Sequence, residues 1–341
     1  MTHAIPSPPI GFIISAPRSG STMLERILES HSHILGGPEP HLMTPLAHLG
    51  VWANVDKAPY DHILAAEAQK GFVERLPRGE QDYWDACRAY ADVLYGRYLS
   101  TSAKTVCIDK TPAYALVLPF LEKVYPDARY VVLTRHPAAI WSSYANSFFD
   151  GDFQTALDYN PIINRYVPAM ARFLRTTATA HVHVRYEDLV ADPEQEIARV
   201  YDLLEVPYEA ETITYGSGKS DTGSAKNLGD PIGVGQHDRP TTDSVNKWAG
   251  ELAADGDKRT LVENMMARIE PDDLATFGYP IETFWEPLEQ AGATPPPPPR
   301  LSRYRIQRKL IMTLRKRAQR GGLFRRTLQT VRLAADVLLR E

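Results

Sequence analysis

Apolar positions follow two rhythms along the chain. Four short runs, 10–16 (IGFIISA), 105–109 (TVCID), 129–135 (RYVVLTR) and 181–187 (HVHVRYE), are β-branched and apolar and are flanked by turn residues, which predicts buried strands. Across 21–32, 81–99, 115–124, 138–148, 161–177 and 193–205 the apolar positions recur at helical spacing, and 241–253 and 258–269 repeat that pattern. Strands alternating with helices predict right-handed crossovers. The expected fold is therefore α/β, three layers deep, with a central, mainly parallel sheet between helices.

Two stretches break these rhythms. Residues 206–240, rich in Gly, Ser, Thr and Asp, predict a long loop region of the kind that carries function or is disordered. The run TPPPPPR, 294–300, predicts a semi-rigid polyproline spacer. The expected division is a domain over 1–290, a Pro-rich linker over 291–300 and a basic helical tail over 301–341. In the tail, Ile306, Leu310, Ile311 and Leu314 share one helical face among many Arg and Lys. Beyond Gly321 and Gly322, residues Phe324, Leu328, Val331, Ala335 and Leu338 continue the pattern.

Charge divides the chain at the same place. The net charge of −4 conceals 13 Lys/Arg against two acids from Arg300 to Glu341, so a tail of +11 follows a body of −15. A basic amphipathic helix suits an anionic membrane surface or an acidic carrier protein, and packing on the acidic body or on another protomer fits the same charges. No nucleic-acid recognition motif accompanies it. Two cysteines, Cys87 and Cys107, cannot build a disulfide framework, and no Cys/His cluster suggests a metal site. With no charged leader and no apolar stretch of about 18 residues, the expected location is cytoplasmic, with any membrane contact peripheral, at the inner face.

The chemistry concentrates after the first strand, in SAPRSGST (15–22). The P-loop pattern G-x-x-x-x-G-K-[ST] is kept at Gly20 and Thr22, whereas Ser15 stands for the first Gly and Ser21 for the Lys. Loss of that Lys disfavours a nucleoside triphosphatase. An anion cradle of backbone N–H groups at a helix start remains, with Arg18 as its cation. Taken alone, the loop reads equally well as a strand-to-helix turn capped by Ser21. The strand RYVVLTR then delivers Arg135 at its C-terminal end, where ligands of open α/β sheets bind, and the next helix carries Ser143 eight residues on. Together these two can grip one phosphate. Singly, Arg135 reads as a surface ion-pair partner and Ser143 as a helix-face hydroxyl.

In combination, APRSGSTML and LTRHPAAIWSSY resemble the sulfotransferases that use 3'-phosphoadenosine 5'-phosphosulfate (PAPS) and release adenosine 3',5'-bisphosphate. The resemblance runs from about Ile10 to Trp248, includes RYEDLVADPEQEIARVYDLLEVP (185–207), and excludes the tail. It implies a P-loop-like sheet in which Arg18, Ser19, Gly20, Ser21 and Thr22 cradle the phosphosulfate, Arg135 and Ser143 hold the 3'-phosphate, and Tyr186 lies against the adenine or in the core. In GGPEPHLM (36–43), which is similar to segments of tyrosylprotein sulfotransferases and of sulfotransferase domains in olefin-forming polyketide synthases, it implies Glu39 as the base, with His41 as second choice. Lys110, at the end of CIDK, matches a lysine that stabilises charge on the bridging oxygen, with Arg18 as its partner, and His237 is a further candidate for proton transfer. No metal is implied. The second glycine motif of cytosolic members has no counterpart, and Ser147 stands where tyrosylprotein members add an Arg.

The function expected on this resemblance is sulfuryl transfer from PAPS to a hydroxyl of a small molecule, a lipid or a carrier-bound metabolite. One rival is a small-molecule P-loop kinase dependent on ATP and magnesium. The other is a non-enzymatic docking protein that works through its tail. Trp52, Tyr60, Tyr83 and Trp84 are expected as helix-face core residues more than as an acceptor pocket.

Overall fold

The computed structural model describes residues 8–37, 39–47, 69–216 and 237–293, together with Leu310, Leu314, Thr327 and Val331 of the tail. Trp52, Tyr60, the middle of the 206–240 stretch, the proline run and the rest of the tail lie outside the described residues. The four tail positions are helical and exposed.

Five strands form one sheet: β1 (Ile10–Ser15), β2 (Ile34–Leu35), β3 (Val106–Lys110), β4 (Arg129–Thr134) and β5 (His181–Arg185). Their order is β2-β3-β1-β4-β5 and every pairing is parallel. Alternate residues of β1 feed opposite layers. Phe12 and Ile14 enter a large core with Tyr114, Tyr130, Trp141 and Trp248, and Ile13 enters a second core with Leu24, Ile27, Val131 and Val200. Burial on both faces makes the strands read as continuous apolar runs. The expected three-layer α/β/α architecture with a parallel sheet is what the chain forms.

The topology positions the site. From β1 the chain runs towards the β2 edge, and from β4 it runs towards the β5 edge, so the loops after β1 and β4 part at the middle of the sheet. Such a switch point leaves a crevice at the strands' C-terminal ends. Ile13 is in register with Lys110 and Ser15 with Leu133, so Lys110 and Arg135 flank the loop after β1 on its two sides.

Several elements differ from expectation. The two-residue β2 is too short for a periodic signal. β5 stops at Arg185 because Tyr186 opens a helix, Tyr186–Ala191. The expected 115–124 helix divides into a 3₁₀ turn, Pro112–Leu116, and a helix, Leu118–Val124. Helix Phe153–Tyr159 was not expected, although Asp152 caps it, its side chain accepting from Thr155 N at 2.8 Å. Helices Pro271–Phe277, Ile281–Phe284 and Glu286–Gln290 were also not expected, and they bury Leu274, Phe277, Phe284 and Leu288 in the large core. Trp84 belongs to that core, edge-on to Phe120 at 5.7 Å, with Tyr83 packed against it. Cys87 and Cys107 are free and buried. No helix among the described residues is long and apolar enough to cross a membrane, and no cluster there could hold a metal.

Candidate active site

The loop after β1 is shaped by two left-handed residues, Arg18 at φ 70° and Gly20 at φ 92°. Alternation of hand along consecutive residues turns successive N–H groups to one side and makes a concave anion nest. Gly20 takes the position before the first helix turn, α1 (Ser21–Glu29), so the expected Ser21 cap is corrected: Ser21 is already helical. Glycine is required there twice over. A Cβ at Gly20 would meet the Tyr186 ring at 2.6 Å, and the backbone is one that L side chains rarely adopt. Ser15 and Ser19 are fully buried, and their hydroxyls have no hydrogen-bond partner among the described residues.

On the β4 side, Arg135 is only 8% exposed. Its Nη1 donates to Arg18 O at 3.0 Å and its Nη2 to Ser244 O at 2.8 Å, while its guanidinium lies 4.3 Å over the Tyr186 ring. Nε is buried without a partner, and no carboxylate forms a salt bridge with Arg135 among the described residues. Such burial is costly for a cation, which stays charged because an arginine does not give up its proton in proteins. From the same loop, Arg18 Nε donates to Ser143 Oγ at 3.2 Å. Arg18, Ser19, Gly20, Arg135, Ser143 and Tyr186 thus converge at one place.

On the β3 side sits a different cluster. Lys110, 1% exposed, donates from Nζ to Glu39 Oε1 at 2.7 Å and lies 3.3 Å from Glu25 Oε2. Beyond it, His41 Nε2 is 3.5 Å from Glu39 Oε2, and His41 has φ 52°. Glu205 and Asp150, the other non-glycine residues with positive φ among those described, are helix C-caps, so among the described non-glycine residues only Arg18 and His41 hold this conformation away from a cap. Beneath them Asp109 is an anchor, accepting from Tyr95 at 2.5 Å and from Tyr114 and Thr111 at 3.0 Å each. Burial pushes its carboxyl up to about 6 against those hydrogen bonds. The Tyr114 hydroxyl also accepts from Met43 N at 3.0 Å, which ties the segment carrying Glu39 and His41 to the end of β3.

Most of the expected residues are therefore brought together in two groups at one edge. His237 is half-buried, and no described hydrogen bond or ion pair joins it to either group. Its neighbour Asp238 accepts from Gly216 N instead. Two contributors escaped the sequence reading. Ser244, through its carbonyl, carried no signal. Glu25 lies one turn after Ser21 on α1, among the buried Met23, Leu24, Ile27 and Leu28, but its helix also carries the polar Arg26 and Glu29.

Comparison with known proteins gives the family of the chain. The model for the sulfotransferase family matches residues 9–210. The nodulation protein NoeE of Sinorhizobium fredii (strain NBRC 101917 / NGR234) is 32% identical over 225 residues, which cover 57% of this chain and 49% of that protein, so the chain spans about half of this relative. Protein-tyrosine sulfotransferase 1 of Danio rerio is 23% identical over 284 residues, covering 80% of this chain and 72% of that one. Among solved structures, the sulfotransferase domain from the Synechococcus PCC 7002 olefin synthase aligns with 78% of this chain and 97% of its own, at 26% identity and a TM-score of 0.49.

Proposed function

The chain belongs to the sulfotransferase family, and from that premise we propose that it transfers a sulfuryl group from PAPS to a hydroxyl of a small-molecule, lipid or carrier-bound acceptor. The observation that carries this reading is Arg135: a buried cation beside an anion nest, with an orphaned Nε and no carboxylate partner among the described residues. A group with phosphate oxygens supplies what that guanidinium lacks. Arg135 and Ser143 would hold the 3'-phosphate and Tyr186 would flank the nucleoside. Residues 18–22 would cradle the 5'-phosphosulfate, with the buried hydroxyl of Ser19 turned to it.

The bound donor supplies the sulfuryl group and leaves as the bisphosphate. Transfer is an in-line displacement: the S–O bond to the phosphate breaks as the acceptor oxygen bonds to sulfur, and the hydroxyl proton must leave. Glu39 takes that proton in this reading, and His41, 3.5 Å from its other oxygen, is placed to receive it next. Lys110 and Arg18 stabilise charge on the bridging oxygen. A kinase reading lacks the P-loop lysine, whose place Ser21 takes.

A hydroxyl acceptor would give up its proton to Glu39, and the basic tail suits an acidic carrier or an anionic inner-face membrane surface as the place where that acceptor is met. The test is transfer of labelled sulfate from PAPS to phenol, sugar, lipid and carrier-bound hydroxyls. Label in at least one class, without magnesium, is expected. Label in none, together with phosphate transfer from ATP and magnesium, would replace the sulfotransferase reading with the kinase one.

A further inference from the structure

Glu25 lies outside every role assigned above. It projects from α1, the helix that the donor loop opens, and is 6% exposed. One carboxyl oxygen, Oε2, lies 3.3 Å from Lys110 Nζ, and the other, Oε1, is buried with no hydrogen-bond partner among the described residues. Lys110 is nearer to Glu39, at 2.7 Å. One ammonium therefore sits between two carboxyl groups, and it favours Glu39.

The charge count of this cluster matters because its proposed ligand is a polyanion. With both carboxyls ionised the cluster carries one net negative charge at the edge of the anion nest. With Glu25 as the neutral acid, the Lys110 ammonium balances Glu39 and the cluster carries none. An ionised Glu25 would also leave Oε1 buried and unpaired, a costly state for a charged oxygen.

We propose, resting on the donor reading above, that Glu25 is a positioning residue that sets the charge of the Lys110 cluster: as the neutral acid it leaves the ammonium to Glu39 and admits the anionic donor, and on ionising it competes for Lys110 and repels that donor. Burial pushes its carboxyl up to about 8, against the lowering pull of Lys110, while Glu29 and Glu39 push it the same way as burial. Lys110 on β3, Glu39 on the segment after β2, Glu29 one turn further along α1, and Tyr98 of helix Glu80–Leu99 are the charged and titratable groups that face it. Burial holds the Tyr98 hydroxyl above its ordinary value, so it stays neutral through the same range. Ionisation of Glu25 thus falls within a window where few neighbours change.

The experiment is calorimetric titration of the full chain with adenosine 3',5'-bisphosphate between pH 7 and pH 9, a range above the last phosphate ionisation of the ligand. The wild-type protein should bind on the order of tenfold more weakly at pH 9 than at pH 7, the factor expected of one added charge at roughly 10 Å in a partly buried site. Glu25→Gln, an isosteric neutral variant, should bind as the wild type does at pH 7 and keep that affinity to pH 9. A merely structural role for Glu25 would weaken binding at both pH values without flattening the profile. A wild-type affinity that is flat from pH 7 to pH 9 overturns the proposal on its own, as does a Glu25→Gln profile that falls in parallel with the wild type. Absence of bisphosphate binding at every pH would overturn the donor reading itself, and the role of Glu25 with it.

Discussion

The two sides of the crevice hold their charges in opposite ways. On the β4 side, the Arg135 guanidinium is held by two main-chain carbonyls and an aromatic face, so it is fixed in place while its charge stays uncompensated. On the β3 side, the Lys110 ammonium is held by two carboxyl groups, so charge is compensated within the cluster and a proton can be exchanged. A cation fixed by neutral groups is prepared for an anion from outside. A cation fixed by carboxyls is prepared to adjust the basicity of one of them. In the proposed function, the main grip on the donor and the handling of the acceptor proton fall on different sides of one loop, and substitutions on the two sides should differ in their effects.

The largest separation is expected at Glu39. Glu39→Gln keeps a partner for Lys110 but removes the base, so turnover should fall by about 10²- to 10⁴-fold, whereas bisphosphate affinity should change by no more than about tenfold, the effect of one charge taken from the Lys110 cluster. A steady-state assay paired with calorimetry checks both halves. An equal loss in each would merge the two sides. Next comes Arg135→Ala, which removes a charge-assisted grip and should weaken the bisphosphate by about 10- to 100-fold, the range for hydrogen bonds to a charged group.

Gly20→Ala probes the frame that both sides share. The left-handed backbone and the Tyr186 ring at 2.6 Å should together cost about 2–3 kcal/mol of stability, read from urea unfolding, and binding should weaken as the nest distorts. An effect confined to acid pH is expected beneath Arg135. Burial pushes His136 down from 6.5 to about 3, so the unfolded chain takes up its proton before the folded chain does, and stability is lost as pH falls from 6.5 towards 3. His136→Phe, which preserves stacking on Trp248, should show a shallower loss of urea midpoint across that window than the wild type.

How much of this was legible follows from what each residue type broadcasts. The sheet was readable because strands covered on both faces are apolar at consecutive positions, as in Phe12, Ile13 and Ile14. The loop after β1 stood out as a candidate anion site because Gly20, the Ser/Thr pair and Arg135 at a strand end each carry a spacing rule. β2 was not, since two residues have no period. The Glu39–Lys110 pairing joins residues 71 positions apart through the parallel register of β3 beside β1, and no local pattern encodes that contact. Glu25 hid for another reason: beside Arg26 and Glu29 on an amphipathic helix it reads as part of a solvated face until the strand end that buries it is known. The tail, whose charge pattern was the plainest signal in the sequence, lies outside the described residues save for four exposed helical positions.

The central claim is that the crevice is built for a nucleotide carrying a 3'-phosphate. Its most direct test is calorimetric titration of the wild-type chain and of Arg135→Ala with adenosine 3',5'-bisphosphate, AMP, and ATP with magnesium. The account predicts that the wild type binds the bisphosphate far more tightly than AMP or ATP, and that Arg135→Ala loses this preference. Binding of ATP with magnesium in preference to the bisphosphate, or a preference that survives the loss of Arg135, would contradict it.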